Sequence, residues 1–165
     1  MAVSVPYTIR ALTPEDQPFL YEMMYQSIFI PEGGTPPPRS VVQTPPIRKY
    51  VEVFGQPGDL GFAAMDDETG QPVGAAWVRL LTAQAQGYGF VDEATPELVI
   101  AVLPVYRGRG LGTALMERLM TAAKAHYQAI SLSVWPANPA YRLYLRLGFE
   151  VVAEDGPAVT MVKHL

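Results

Sequence analysis

The chain has 165 residues, the length of one domain with one core; apolar residues make up 49% of it, no run of them approaches the ~20 needed to cross a bilayer, and its first residues lack a basic region followed by an apolar stretch. A soluble, cytoplasmic chain without membrane partners is therefore expected. There is no cysteine and there are only two histidines, which exclude disulfides, a cysteine nucleophile and a typical zinc site, so no metal is expected, while a net charge of −4 gives no electrostatic reason to bind nucleic acid and favours a cationic small molecule.

Tyr7 to Leu12 alternates polar and apolar residues, and Thr13-Pro14-Glu15-Asp16 supplies an N-cap, a first-turn proline and early acids. A strand followed by a helix is predicted, the helix running from Pro14 to Phe29 with Phe19, Leu20, Met23, Met24 and Ile28 on its apolar stripe. Pro31 to Pro46 is too rich in proline to be regular throughout, and a short helix is expected near Ile47 to Phe54. Leu60–Met65 and Val73–Leu81 flank the turn Asp66 to Gly70 and should pair as a hairpin. After a polar loop, Thr82 to Pro96, comes a strand over Leu98–Leu103, apolar on both faces and so expected at the centre of a sheet. A helix is predicted from Leu111 to Tyr127, with Leu115, Leu119, Ala122, Met116, Met120, Ala123 and Tyr127 inward and Glu117, Arg118 and Lys124 outward. A strand over Ile130–Trp135, a further helix, a strand, and a last strand at Ala158–Val162 complete the chain. The order β-α-α-β-β-β-α-β-α-β-β predicts an α/β protein of mixed, α+β character, in which helices flank one mixed sheet in a single domain.

The segment with the most chemistry lies between the central strand and the long helix. In Arg107-Gly108-Arg109-Gly110-Leu111-Gly112 the glycines clear side chains from the turn, and the helix that follows adds unpaired N–H groups and a positive dipole end. Such a turn binds phosphate, and Arg107 and Arg109 add planar cations at its rim. A Gly-Lys-Ser/Thr ending is absent and the glycines are one residue short of GxGxxG, so neither a nucleoside-triphosphate P-loop nor a dinucleotide fingerprint is present. There is also no Gly-x-Ser-x-Gly elbow for a serine hydrolase.

Arg-x-x-Gly-x-Gly after a strand ending at Pro104 resembles the pyrophosphate-binding motif of the GNAT superfamily of acyl-CoA-dependent N-acetyltransferases. Asn138 to Phe149, with Leu143-Tyr144 before Gly148-Phe149, is similar to that superfamily's second conserved block. The resemblance covers mainly Glu97 to Val152. It implies the GNAT fold, acetyl-CoA as acyl donor, and cofactor contacts from the turn residues Arg107, Gly108, Arg109, Gly110, Leu111, Gly112 and Thr113. It also implies a splayed central strand whose backbone groups at Val102 and Leu103 meet the pantetheine arm. An amide near Ile100 or Ala101 is placed against the thioester carbonyl, where an N–H stabilises developing negative charge. Tyr144 is implied as the general acid for the departing thiolate and as a cofactor contact, a role that suits a phenol protonated at neutral pH. Tyr141 shares its helix face, but the motif selects Tyr144. Asn138 is implied as a pantetheine contact, with a helix cap before Pro139 as the alternative.

The resemblance places Glu97 near the position of a glutamate base in several relatives, with water as the alternative and Glu22, Glu32 and Asp92 as other acids on the acceptor side. The loops 31–46 and 82–96, the second with Tyr88 and Phe90, are candidates for the acceptor site. The implied reaction is acetyl transfer to a primary amine of a small molecule or peptide. A non-catalytic acyl-CoA sensing domain and a transferase for a longer acyl-CoA are the alternatives, and a homodimer is compatible with the edge strands.

Overall fold

The computed structural model describes residues 6–165. Strand β1 (Tyr7–Ala11) passes through a 3₁₀ turn, Pro14–Asp16, into helix α1 (Gln17–Ser27). The single helix expected over Pro14–Phe29 is shorter at both ends. Its first turn winds tightly because the Thr13 N–H donates to the Asp16 carboxylate at 2.8 Å, and its end unwinds at Ile28 ahead of Pro31. The proline-rich stretch contains a second 3₁₀ segment, Arg39–Gln43, which buries Val42. Helix α2 (Pro45–Arg48) starts two residues before the expected Ile47 and is a single turn. Turns carry the chain onward to Val53, whose φ of 53° cannot propagate a right-handed helix.

Strands β2 (Leu60–Asp66) and β3 (Pro72–Arg79) form the expected hairpin, and β4 (Glu97–Val102) pairs antiparallel with β3. Helix α3 (Leu111–Ala123) stops short of the expected Tyr127, where tighter bonds such as His126 N–H to the Ala123 carbonyl (2.9 Å) close its last turn. Strand β5 (Ala129–Val134), helix α4 (Ala140–Arg146) and strands β6 (Glu150–Asp155) and β7 (Ala158–His164) follow. The order of elements is the expected one.

The seven strands form one mixed sheet in the order β1-β2-β3-β4-β5-β7-β6. All neighbours are antiparallel except β4 and β5, so the central strand is also the place where the sheet changes direction. Alternation along β4 sends Leu98 to one face, against Leu111, Leu115, Met116 and Leu119 of α3, and Val99 and Ala101 to the other, against Leu20, Met23 and Met24 of α1. Two cores result, one on each side of the sheet.

Candidate active site

The turn ahead of α3 is a loop of bare backbone. Gly108 and Gly110 have φ of 74° and 85°, a region costly for residues with a Cβ, and a Cβ built on either meets nothing within 4 Å. Both glycines are therefore demanded by conformation, and the space beside them is open. Gly112 differs, since a Cβ there would make ordinary contact with Leu143 of α4 at 3.8 Å. That proximity brings the first turn of α3 beside the residue preceding Tyr144. Leu111 is buried against the core, and Thr113 lies in the first turn of α3.

Strands β4 and β5 pair only at Glu97 opposite Ser131, and beyond that point no ladder joins them. The Leu103 N–H donates to the Val73 carbonyl at 2.8 Å, which sets the alternation of bonds along β4. Odd-numbered residues turn their backbone groups to β3, while Ile100 and Val102 turn theirs toward β5. The expectation for Leu103 is thus corrected: its N–H belongs to the sheet. Ile100, not Ala101, has its backbone groups facing the gap. The Val102 carbonyl accepts from Arg107 Nε at 2.9 Å, so Arg107 braces the end of β4, and its Nη2 reaches Gln26 at the end of α1 at 3.4–3.5 Å.

Tyr144 is buried on the α3 side of the sheet, its ring 5.7 Å from that of Phe149. Burial pushes its phenol further above the ordinary tyrosine value. Its hydroxyl has no hydrogen-bond partner among the described residues. Asn138 takes the capping role: its side-chain oxygen accepts the Ala140 N–H at 3.0 Å. It lines a shallow hollow of ≈ 390 Å³ with Pro136, Ala137, Pro139 and Arg142.

Glu97 faces the opposite side of the sheet from Tyr144 and is 2% exposed. Its carboxylate accepts from the Tyr50 hydroxyl (2.8 Å), the Gly87 N–H (3.0 Å) and the Gly89 N–H (2.8 Å), and the Tyr88 N–H donates to the Tyr50 oxygen at 2.7 Å. Burial raises its pKa, and these donors oppose the shift. Glu97 and Tyr50 together pin the segment Gly87–Gly89 against the sheet. A Cβ on Gly89 would lie 2.6 Å from the Leu132 carbonyl carbon, so the segment rests directly on the backbone of β5. Phe90 packs into the α1 core, while Tyr88 is 57% exposed. Among the other acids, Glu22 pairs with Arg39, Asp92 accepts the Ala94 N–H (2.9 Å) within its own loop, and Glu32 is exposed.

Several residues of the site escape sequence reasoning. Tyr50, Asp66 and Tyr106 act through partners 40 or more residues away, which no local pattern encodes. Ser131 is fully buried opposite Glu97, and its hydroxyl has no partner among the described residues. Phe29 and Trp135 meet edge-on with centroids 6.1 Å apart, joining the end of α1 to the end of β5. Among the described residues no helix is long and apolar enough to cross a membrane.

The family model described as the acetyltransferase (GNAT) family matches residues 22–149. No curated protein sequence matches the chain. Solved structures of similar shape include PaiA N-acetyltransferase from Thermoplasma acidophilum in complex with coenzyme A (19% identity, 97% of this chain and 99% of that one, TM-score 0.66). A GNAT superfamily phosphinothricin acetyltransferase from Sinorhizobium meliloti in complex with AcCoA is 21% identical over 96% of this chain and 88% of its own, with a TM-score of 0.66. The GNAT domain of S. lividans PAT is 16% identical, covers 95% of this chain and 89% of its own, and has a TM-score of 0.67. At these identities the likeness shows the fold.

Proposed function

The chain belongs to the GNAT family of acetyltransferases, and from that premise we propose that it moves an acetyl group from acetyl-CoA to a primary amine by direct attack. The observation that carries the reading is the glycine turn opening beside a central strand that has parted from its parallel neighbour. Two structural relatives were solved with coenzyme A or AcCoA, which supports the donor. The turn fits such a group: its two left-handed glycines leave open space at the N-terminal end of α3. Amides from Gly108 through Thr113, with Arg109 at the rim, would hold the pyrophosphate, and the backbone of Ile100 and Val102 would pair with the pantetheine arm.

Acetyl-CoA supplies the thioester. The amine nitrogen forms a bond to the acetyl carbonyl carbon and the carbon–sulfur bond breaks. The Ile100 N–H, which faces the gap beside β4, would donate to the carbonyl oxygen and offset its growing charge. Tyr144 gives its proton to the thiolate sulfur; the burial that makes a phenol a weaker acid also raises the proton affinity of a thiolate beside it. With three donors on its carboxylate, Glu97 serves by holding the loop over the acceptor side, the proton of the amine passes to water, and water returns a proton to the Tyr144 phenolate. Proximity of the two reactants supplies much of the rate.

Thermal denaturation with CoA, acetyl-CoA, longer acyl-CoAs, NADH and ATP tests the donor, because a ligand at ~100 times its Kd adds about 2.7 kcal/mol. Stabilisation by CoA species alone, followed by thiol release with a panel of amines, is the expected result. A shift with NADH or ATP alone would sink the reading, and CoA binding without thiol release across the panel would mark a sensing domain.

A further inference from the structure

The two arginines of the glycine turn are in different states. Arg107 is committed to the Val102 carbonyl and to Gln26. Arg109 has no hydrogen-bond or ion-pair partner among the described residues, and its guanidinium carbon stands 5.9 Å from the centroid of the Tyr106 ring. Left- and right-hand neighbours of Arg109 are glycines with positive φ, so the turn fixes its backbone while leaving its long side chain without local support. The Tyr106 ring is the platform it has.

That platform is itself anchored. The Tyr106 hydroxyl donates to Asp66 Oδ2 at 2.6 Å, across 40 residues of sequence. Asp66 is 4% exposed, and its second oxygen accepts the Glu68 N–H at 2.8 Å, so the turn of the β2–β3 hairpin holds the carboxylate in place. At its other end Tyr106 is fastened by its own N–H to the Leu103 carbonyl at 2.9 Å. The bond to Asp66 keeps the Tyr106 phenol protonated and holds the Asp66 carboxyl below its ordinary range.

We propose that Asp66 and Tyr106 are positioning residues that hold Arg109 ready as the phosphate-binding cation of the glycine turn, while Arg107 serves as a brace. A free arginine loses rotamer freedom when it grips a phosphate; a guanidinium already resting on an aromatic face loses less. The ligand chemistry is a phosphoanhydride, and the inference rests on the reading that this turn holds the pyrophosphate of CoA.

The test is a double-mutant cycle read by calorimetric titration of CoA into the full chain, with variants Tyr106→Phe, Arg109→Ala and the pair. Tyr106→Phe removes one oxygen and keeps the ring, and a thermal melt of each variant without ligand confirms folding. Arg109→Ala is expected to weaken CoA binding about tenfold or more, and Tyr106→Phe about threefold to tenfold. In the Arg109→Ala background the effect of Tyr106→Phe should vanish, because Tyr106 acts through that arginine. A merely structural tyrosine would give effects that multiply. Multiplying effects, or Tyr106→Phe binding CoA as tightly as the native chain, would overturn this inference alone. A native chain with no affinity for CoA would overturn it together with the proposed function. Should Tyr106→Phe fail to fold, Asp66→Ala removes the same bond from its other end and enters the same cycle.

Discussion

Tyr144 shows how burial sets the state of one side chain, the one proposed as the general acid. Its ring is buried against Phe149, its hydroxyl has no hydrogen-bond partner among the described residues, and its proton is bound more firmly than in water. A phenol in that state is wholly protonated at neutral pH. In Tyr144→Phe the ring and its packing remain, so turnover should fall about a hundredfold, the lower range for loss of a general acid, while the Kd for CoA changes less than about threefold. Thiol-release kinetics and titration of CoA check the two halves; an unchanged kcat removes Tyr144 from the role. Tyr144 was legible in the sequence because Leu-Tyr four residues before Gly-Phe is a local pattern. Tyr106 was not, because its meaning lies in Asp66, which the sheet brings to it.

Among the elements, the loop between β3 and β4 shows what a buried carboxylate does when every donor around it is backbone or phenol. Glu97 converts an irregular segment into a fixed one by accepting from Gly87, Gly89 and Tyr50 at once. Glu97→Gln retains one acceptor oxygen and turns an amide toward donors that have no use for it, so a loss of about 1–3 kcal/mol is expected in thermal unfolding. Faster hydrogen exchange at Gly87 and Gly89 should accompany it, and the acidic limb that protonation of the attacking amine imposes on the kcat profile should be retained. Loss of that limb would instead make Glu97 the base. The sequence marked this loop as long and polar and named Tyr88 and Phe90, yet it held no sign that the loop is clamped. Its clamp spans Tyr50, Gly87, Gly89 and Glu97, and Tyr50 follows a helix of one turn whose bounds propensity alone placed wrongly.

At the scale of the molecule, one sheet with a core on each face places the glycine turn, the splayed strand and Tyr144 together, and sets Glu97 and its loop on the far side. The edge near β1 is held by Arg10, which pairs with Asp16 at 2.8 Å and lowers its pKa, chiefly by their hydrogen bond. A carboxyl with a depressed folded pKa contributes stability above its unfolded value, near 3.9, and that contribution fades as the pH falls through the folded value. Asp16→Asn should therefore cost about 1 kcal/mol at pH 7, with the difference from the native chain shrinking below about pH 4 in denaturant melts. A difference that persists undiminished in acid would assign the loss to packing. The order of elements, the apolar faces of α1 and α3, and the glycines of the turn were legible along the chain, because each of these is written in residues within a few positions of one another. The tertiary structure decided the rest. Which backbone groups of β4 face the gap depends on its register against β3, so Leu103 fell to the sheet and Ile100 to the gap. Which arginine of the turn lacks a hydrogen-bond or ion-pair partner among the described residues, and which acid accepts from the β3–β4 loop, depends on partners that only the folded sheet brings within 3 Å, since hydrogen bonds and ion pairs act over distance in space and not along the chain.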